Sequence, residues 1–251
     1  MDEPIYHADR SLGAKLRRRA VRFQSRRPAR APAGPMVSFA FDDAPASAAQ
    51  NGAQVLESRG LKGSYFISAG LAGGKGPMGA FADATAVKRL AEAGHEIGCH
   101  TFSHLDCGQA GAALAVEDVA RNHRALSAWG VPPPTTFAWP YGDVAPDTKR
   151  ALRHRFCLMR ALHHGLVSGG SDLNQAPGVG IEGPDGEAVA AGWLQRAAGR
   201  RSWLILYTHD VAEAPSPFGC TPAALARLAD AAIADGFEVV TVAEGARRLS
   251  A

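Results

Sequence analysis

Two short segments carry the residue types that a metal-dependent hydrolase needs. An apolar run, Phe39–Phe41, ends in two adjacent carboxylates, Asp42 and Asp43, and a later segment holds His100 and His104, four residues apart. One carboxylate and two imidazoles can bind a divalent metal and leave positions open for water and substrate. The other carboxylate then lies beside the metal, where an attacking water needs a general base. The two segments therefore predict metal-assisted hydrolysis.

Each pair also has a purely structural explanation. Either aspartate could cap the helix that is predicted to follow it. The spacing of His100 and His104 alone only places two imidazoles on one face of a helix, and one of them could be a hydrogen-bonded core residue. The two pairs together favour metal binding, because capping alone does not account for two adjacent carboxylates at the end of a strand.

The elements around these segments alternate between strands and helices from about residue 36. Strands are predicted over residues 36–41, 63–69, 95–99, 135–138, 156–160, 202–208 and 237–242. Helices are predicted over residues 46–58, 80–93, 112–129, 146–154, 187–200, 222–235 and 243–249. This order is typical of an α/β fold with parallel strands and helical crossovers, and seven or eight such units favour a barrel over a flat sheet.

In barrels of this kind the residues that do chemistry lie at the C-terminal ends of the strands. Asp42 and Asp43 end the first predicted strand, and the two histidines follow a later one. Two further polar clusters, residues 139–143 and 208–210, also come directly after predicted strands. We therefore expect four clusters that are distant in sequence to meet on one face of the barrel.

Charge divides the chain into two parts. Residues 1–35 hold nine arginines and lysines but three carboxylates, whereas the whole chain of 251 residues has a formal net charge of +3. We therefore expect a basic N-terminal leader, residues 1–35, helical or poorly ordered, and a catalytic domain, residues 36–251. The leader could bind an anionic membrane surface or a lipid-phosphate-linked substrate. Nucleic acid is not expected as a partner, since no recognition motif follows.

Several features of the sequence favour a cytoplasmic location. No apolar run approaches the roughly 18–20 residues that cross a bilayer, and the first residues lack the apolar stretch of a secretory signal. The four cysteines form no CxxC pair and suggest no disulfide framework. We expect a cytoplasmic protein, which would lie at the inner face of the inner membrane if its leader binds lipid.

The order of motifs resembles that of the polysaccharide deacetylases with a NodB homology domain, carbohydrate esterase family 4. Residues 41–44 are similar to the family's Phe-Asp-Asp-Gly, and residues 100–104 match its His-Ser/Thr-x-x-His. Residues 138–141 are similar to Arg-x-Pro-Tyr, and residues 207–209 to Leu-x-His. The resemblance covers most of residues 36–249 and implies a distorted (β/α) barrel of about seven parallel strands. Within the family, the chain resembles a cytoplasmic deacetylase of a bacterial adhesive holdfast polysaccharide.

The resemblance also implies a role for each polar residue. The metal, usually zinc, would be held by Asp43, His100 and His104. The general base would be Asp42, the general acid His209, and the oxyanion donor the backbone N–H of Tyr141. Substrate contacts are expected from Trp139, Pro140, Tyr207 and Asn174. The reaction implied is hydrolysis of N-acetyl groups on hexosamine units of a bacterial polysaccharide, either free or lipid-linked, with release of acetate.

The sequence departs from the family pattern at several places. Ala138 stands where the family often has the arginine that braces the base, so Asp42 must be braced in another way. Tyr207 takes the place of a leucine beside the acetyl pocket, and Ala44 that of a glycine. No convincing Asp-x-x-Asp-Trp motif is present, and the glycine-rich segment that follows residue 160 offers only Arg160, Asp172 and Asn174 as contributors. These departures bear on substrate preference.

Three other functions remain open at this point. The same barrel could act as a deacylase or deformylase of a lipid-linked sugar at the inner membrane, which the basic leader favours. An Asp/His/His ligand set is also used by non-heme iron oxygenases. A sugar-binding module without activity is the third alternative, and the alanine at position 138 is the feature that favours it.

Overall fold

Eight parallel strands, seven of them along one continuous path, form a curled sheet in the computed structural model, which describes residues 19–250. The strands are β1 (Met36–Asp42), β2 (Ser64–Ile67), β3 (Lys75–Gly76), β4 (Gly79–Ala80), β5 (Glu96–Cys99), β6 (Thr136–Ala138), β7 (Leu158–Arg160), β8 (Val179–Gly180), β9 (Trp203–Thr208) and β10 (Glu238–Val239). The order across the curled sheet is β7-β6-β5-β2-β1-β9-β8, and β10 pairs with the start of β1. Strands β3 and β4 form a separate antiparallel hairpin.

Helices cover the strand connections. They are α1 (Ala53–Glu57), α2 (Ala84–Glu92), α3 (Ala112–Ala128), α4 (Pro146–Leu152), α5 (Gly186–Ala197), α6 (Pro222–Ala234) and α7 (Val242–Leu249). Side-chain caps start several of them: Asp83, Thr221 and Thr241 each accept a backbone N–H from the first turn of the helix that follows. Within residues 19–250, no helix is both long and apolar enough to cross a membrane.

The two edges of the sheet meet at a narrow seam. Strands β7 and β8 are not directly paired, but Ala176, just before β8, forms a parallel bridge with Arg160. The Ala161 N–H donates to the Ala176 carbonyl at 2.8 Å, and the Ala176 N–H donates to the Met159 carbonyl at 2.9 Å. The predicted α/β fold, a distorted barrel of about seven parallel strands, is confirmed.

The largest differences from the predicted elements lie at helix starts and in the glycine-rich segments. The helix predicted over 46–58 begins as a π-helical turn, Ala48–Gly52, before α1. The helix predicted from residue 80 begins only at Ala84, because Ala80 pairs with Lys75 in the hairpin and Asp83 caps α2. The segment after residue 160 contains a 3-10 turn, Leu173–Gln175, and strand β8. The strand predicted over 237–242 is only two residues long.

The alternation of side chains along β1 determines which face of the sheet Asp42, its last residue, points to. Val37, Phe39 and Phe41 pack in a core cluster with residues of α1, α5 and α6, whereas Met36 and Ala40 pack in a second cluster with Phe66, Ala138, Ile205 and other strand residues. Successive side chains of a strand point to opposite faces. Asp42 therefore falls on the same face as Met36 and Ala40, toward the interior of the barrel.

The described part of the basic leader, residues 19–35, packs on the domain. Val21 is fully buried, and Lys149 of α4 donates through its Nζ to the Val21 carbonyl at 2.9 Å. The same Nζ lies 2.6 Å from Asp172 Oδ2, while the Arg27 N–H donates to Asp172 Oδ1 at 2.8 Å. Leader residues 1–18 lie outside the described residues, and the boundary between residues 35 and 36 stays a prediction.

The Lys149–Asp172 pair gives a test of this packing. Lys149→Ala leaves the Asp172 carboxylate buried without its cation, so we expect the free energy of unfolding to fall by about 3 kcal/mol or more. Urea denaturation measures the change. Arg227→Ala removes a cation from an exposed pair with Glu187 and should leave stability nearly unchanged. Equal effects of the two variants would show that the buried pair stabilises the protein no more than the exposed one does.

Candidate metal centre and active site

Asp43, His100 and His104 form a cluster at the C-terminal ends of the strands. Asp43 Oδ1 lies 3.5 Å from His100 Nε2 and 3.3 Å from His104 Nε2. All three ligand atoms lie within 4.8 Å of one another. Asp43 and His100 are buried, and His104 is mostly buried. The structure thus brings together the three residues that the sequence predicts as metal ligands.

The chemistry of these three side chains fits a divalent cation. Asp43 Oδ1 is buried and has no hydrogen-bond partner among the described residues. Burial lowers the pKa of both His100 and His104 to about 4, so both imidazoles are neutral near pH 7 and each can offer a lone pair. His100 Nδ1 lies 2.8 Å from the Ala138 carbonyl. That carbonyl can only accept, so Nδ1 carries the proton and Nε2 is left to face Asp43.

The backbone at this site is held in an uncommon conformation. Five of its residues have a positive φ: Asp43 at 59°, Ala44 at 48°, Thr101 at 61°, His104 at 54° and Tyr141 at 58°. Ser25 is the other such non-glycine residue in the described part of the chain. Each conformation of this type costs on the order of 1 kcal/mol or more and persists only where its surroundings fix it. The turn at Ala44 is thus one that glycine, the family's residue, adopts more readily.

Asp42 has a different environment from its neighbour. It is buried, and Nη2 of the fully buried Arg160 lies 2.5 Å from both of its carboxylate oxygens. Burial alone would favour the neutral acid, but the charges of Arg160 and of the nearby imidazoles outweigh it and hold the pKa of Asp42 below its ordinary value. Asp42 is therefore an ionised carboxylate that is not part of the three-residue cluster.

Arg160 supplies the brace that Ala138 cannot. It ends β7, and its register partner on the neighbouring strand β6 is Ala138. The guanidinium lies over the ring of Tyr207, 4.8 Å from its centroid. A Cβ on Gly178 would lie 3.0 Å from Arg160 Cδ, so the glycine leaves room for this side chain. The family pattern has its arginine at the position of Ala138 on β6. Here the arginine stands at the register-matched position on the neighbouring strand β7.

His209 follows β9 and pairs with Glu182. His209 Nδ1 lies 2.9 Å from Glu182 Oε1. Burial lowers the pKa of His209, but the adjacent Glu182 carboxylate and the charges of Asp42 and Asp43 outweigh this and raise it to about 9. His209 is therefore an imidazolium at neutral pH. Sequence reasoning did not find Glu182; its only signal is a lone carboxylate just after the short, glycine-containing strand β8.

The remaining predicted residues lie around this centre. Tyr141 is 37% exposed, and its ring centroid is 4.4 Å from that of His104. Trp139 is fully buried, and its indole N–H donates to the carbonyl of Asn174 at 3.4 Å. The Asn174 amide donates to the Ser25 carbonyl at 2.7 Å. Pro140 and Tyr207 are also buried. Trp139 belongs to a core cluster, and the substrate contacts of these side chains stay a prediction.

Two cavities are lined by residues that neighbour the site residues in the chain. One, of about 240 Å³, is lined by Tyr141 together with Arg22, Leu162, His163 and Gln175. The other, of about 400 Å³, is lined by residues that follow Asp43 and His209 in the chain and by the hairpin, including Ser47, Met78, Asp210 and Ser216. Only the first cavity is lined by a predicted site residue, Tyr141, and neither is lined by the three clustered residues themselves.

Comparison with known proteins agrees with this geometry. The family model described as polysaccharide deacetylase matches residues 29–155. A chitin deacetylase from the fungal pathogen Colletotrichum lindemuthianum is similar at 18% identity and a TM-score of 0.63, over 86% of this chain and 89% of that chain. A family 4 acetyl xylan esterase from Clostridium thermocellum, in complex with a cobalt ion, is similar at 20% identity and a TM-score of 0.61, over 83% of this chain and 89% of that chain.

A mutant of the peptidoglycan deacetylase PdaC from Bacillus subtilis is similar at 16% identity and a TM-score of 0.58, over 86% of this chain and 93% of that chain. At such identities the structural likeness shows the fold alone. No curated protein matches the chain. The family match itself spans the motifs that contain Asp42, Asp43, His100, His104 and Tyr141, whereas Arg160, Glu182 and His209 lie beyond it.

Metal binding gives the direct test of the cluster. With metal-stripped protein, we expect the wild type to bind one equivalent of Zn²⁺ in isothermal titration calorimetry. Asp43→Ala and His104→Ala should abolish this binding, because each removes one of three ligands. Asp42→Asn is the matched control and should still bind zinc, since Asp42 pairs with Arg160 and is not one of the three ligands. Zinc binding by Asp43→Ala with unchanged affinity would contradict the assignment.

Proposed function

The chain belongs to the polysaccharide deacetylase family, and from this premise we propose that it hydrolyses N-acetyl groups on hexosamine units of a bacterial polysaccharide, in a metal-dependent reaction that releases acetate. The observation that carries the proposal is the division of labour between two adjacent carboxylates. Asp43 faces two neutral imidazoles, while Asp42 is held as a separate carboxylate by Arg160. A metal-dependent amide hydrolase needs both a ligand set and a free base.

Members of this family use a divalent metal, and we propose zinc for this chain. Two neutral imidazoles and one carboxylate are a ligand set of catalytic zinc sites, which keep a position open for water or substrate. When bound, such a metal polarises the amide carbonyl and lowers the pKa of water toward about 7. The cobalt ion in the similar acetyl xylan esterase agrees with a site for a divalent cation.

The chain's own residues supply the proton transfers. Asp42 accepts the proton of the attacking water, and its pair with Arg160 keeps it ionised and in one orientation. The backbone N–H of Tyr141 donates to the oxygen that gains negative charge, a contribution whose loss typically lowers the rate about 10²–10³-fold. His209, which Glu182 keeps protonated, gives its proton to the leaving nitrogen of the sugar.

The substrate is an N-acetylated glycan. Two of the similar structures are named for chitin and for peptidoglycan deacetylation, and we propose a related bacterial exopolysaccharide, such as an adhesive holdfast, for this chain. We also propose a cytoplasmic location. The four cysteines are free, which suits a reducing compartment. A cytoplasmic enzyme meets its glycan during synthesis, when the chain is nascent or attached to a lipid.

A lipid-linked sugar is the second candidate substrate, and the basic residues 19–35 favour it. The two remaining alternatives are not favoured. An oxygenase has no need for a separate braced carboxylate and an imidazolium beside the metal ligands. A binding module without activity would not need to keep Asp42, Arg160 and His209 in contact with their partners.

Acetate release tests the proposed reaction. With N-acetylglucosamine oligomers, we expect metal-stripped protein to be inactive and added Zn²⁺ to restore turnover. Asp42→Asn should lower kcat about 10²–10⁴-fold, the usual contribution of general acid–base catalysis, while the protein still binds zinc. Asp230→Asn, an exposed aspartate that pairs with Arg59, is the control and should not change kcat. Near-normal turnover by Asp42→Asn would disprove its role as the base.

The position of Arg160 gives a second test. Arg160→Ala should lower kcat about 10–100-fold with little change in KM, because the base loses the partner that orients it. The double variant Arg160→Ala/Ala138→Arg returns an arginine to the register-matched position on β6 and should recover part of kcat. If the double variant folds but recovers nothing, Arg160 acts on more than the orientation of Asp42.

A further inference from the structure

One basic surface of the protein has no part in the proposed reaction. It is formed by two segments, residues 19–26 and 148–155, which contact each other where Lys149 Nζ donates to the Val21 carbonyl at 2.9 Å. Neither segment contains a carboxylate, and their outward cations are Arg19, Arg22, Arg26, Arg150, Arg153 and Arg155. The buried Asp172 beneath them is already paired with Lys149. The basic surface is therefore not neutralised by acidic residues of its own segments.

An aromatic side chain projects from this surface. Phe23 is 74% exposed, more than the other exposed large hydrophobic residues of the described chain. It lies in a turn in which the Phe23 N–H donates to the Ala20 carbonyl at 3.1 Å, and Val21 beside it is fully buried. Arg26 fixes the other side of the turn by donating to the Gly170 carbonyl at 2.7 Å. The turn is thus anchored while its aromatic ring faces solvent.

The basic surface also borders the active site. Arg22 lines the cavity of about 240 Å³ that contains Tyr141, and the Tyr141 ring packs on His104. Whatever binds across Arg22 and Phe23 therefore lies next to the cavity that contains Tyr141.

We propose that the basic surface docks the protein on an anionic membrane, with Phe23 inserted at the level of the lipid headgroups. Arginines near a membrane are attracted by acidic lipids, and an exposed aromatic ring prefers the interface between water and hydrocarbon. Proteins that bind single-stranded nucleic acid stack successive bases on several aromatic rings in a groove, whereas here one exposed ring stands on a turn. Docking would present the cavity beside Tyr141 to a glycan that is still attached to a lipid. This substrate rests on the proposed deacetylase function.

Vesicle binding by the full-length protein tests the docking without reference to activity. We expect co-sedimentation with phosphatidylcholine vesicles that contain phosphatidylglycerol and none with phosphatidylcholine alone. Phe23→Ser should weaken binding about tenfold. Arg19→Gln/Arg150→Gln, with one change in each segment, should weaken it about 30-fold. The control Arg227→Gln/Arg248→Gln removes the same charge from cations that pair with Glu187 and Glu238, and it should bind as the wild type does.

Hydrolysis of soluble N-acetylglucosamine oligomers is measured on the same variants and should not change. Loss of hydrolysis in the wild type, with vesicle binding intact, would reject the proposed reaction but not the docking. The docking is overturned if the wild type ignores anionic vesicles, if both surface variants bind them as well as the control does, or if the protein binds a single-stranded oligonucleotide in preference to the vesicles.

Discussion

The ion pair between Asp42 and Arg160 is the constraint on which the arrangement of the site depends. Its partners end strands β1 and β7, which are separated in the sheet by β2, β5 and β6. Such a pair can form only if the sheet curls until the interior faces of these strands meet. Two buried charges are costly unless they are matched, so any arrangement that separates them is strongly disfavoured. The pair therefore ties the position of the base to the closure of the barrel.

The cost of burying charge also explains how two adjacent aspartates come to have different roles. The alternation of β1 places Asp42 toward the barrel interior, within reach of the guanidinium, and the positive φ of Asp43 breaks that alternation and turns the next carboxylate toward the histidines. Burial raises the pKa of Asp43, whereas Arg160 and the imidazoles more than offset burial at Asp42 and lower its pKa. The two environments shift the pKa values of neighbouring carboxyl groups in opposite directions. In this way one site gives two tasks to the same chemical group.

Residues at the ends of long, regular strands could be predicted from the sequence, because alternation and strand order determine where they lie. The position of Arg160 could be predicted for the same reason, since it ends a strand predicted over 156–160. Glu182 was not, because β8 is two residues long and contains a glycine, so no alternation marks it. The packing of residues 19–35 was also beyond sequence reasoning, since the Lys149–Asp172 pair joins residues that are 23 positions apart and neither carries a local signal of burial.

The departures from the family motifs are connected in space, and this connection argues that they compensate for one another. Ala138 stands where the family often has an arginine, and Arg160 on the neighbouring strand takes over the pairing with Asp42. Tyr207, in place of leucine, supports that arginine with its ring, and burial and the nearby Glu182 carboxylate raise the pKa of its hydroxyl. Glu182 in turn pairs with His209. The base and the acid are thus linked through Arg160, Tyr207 and Glu182, so changing Tyr207 to the family's leucine would disturb both.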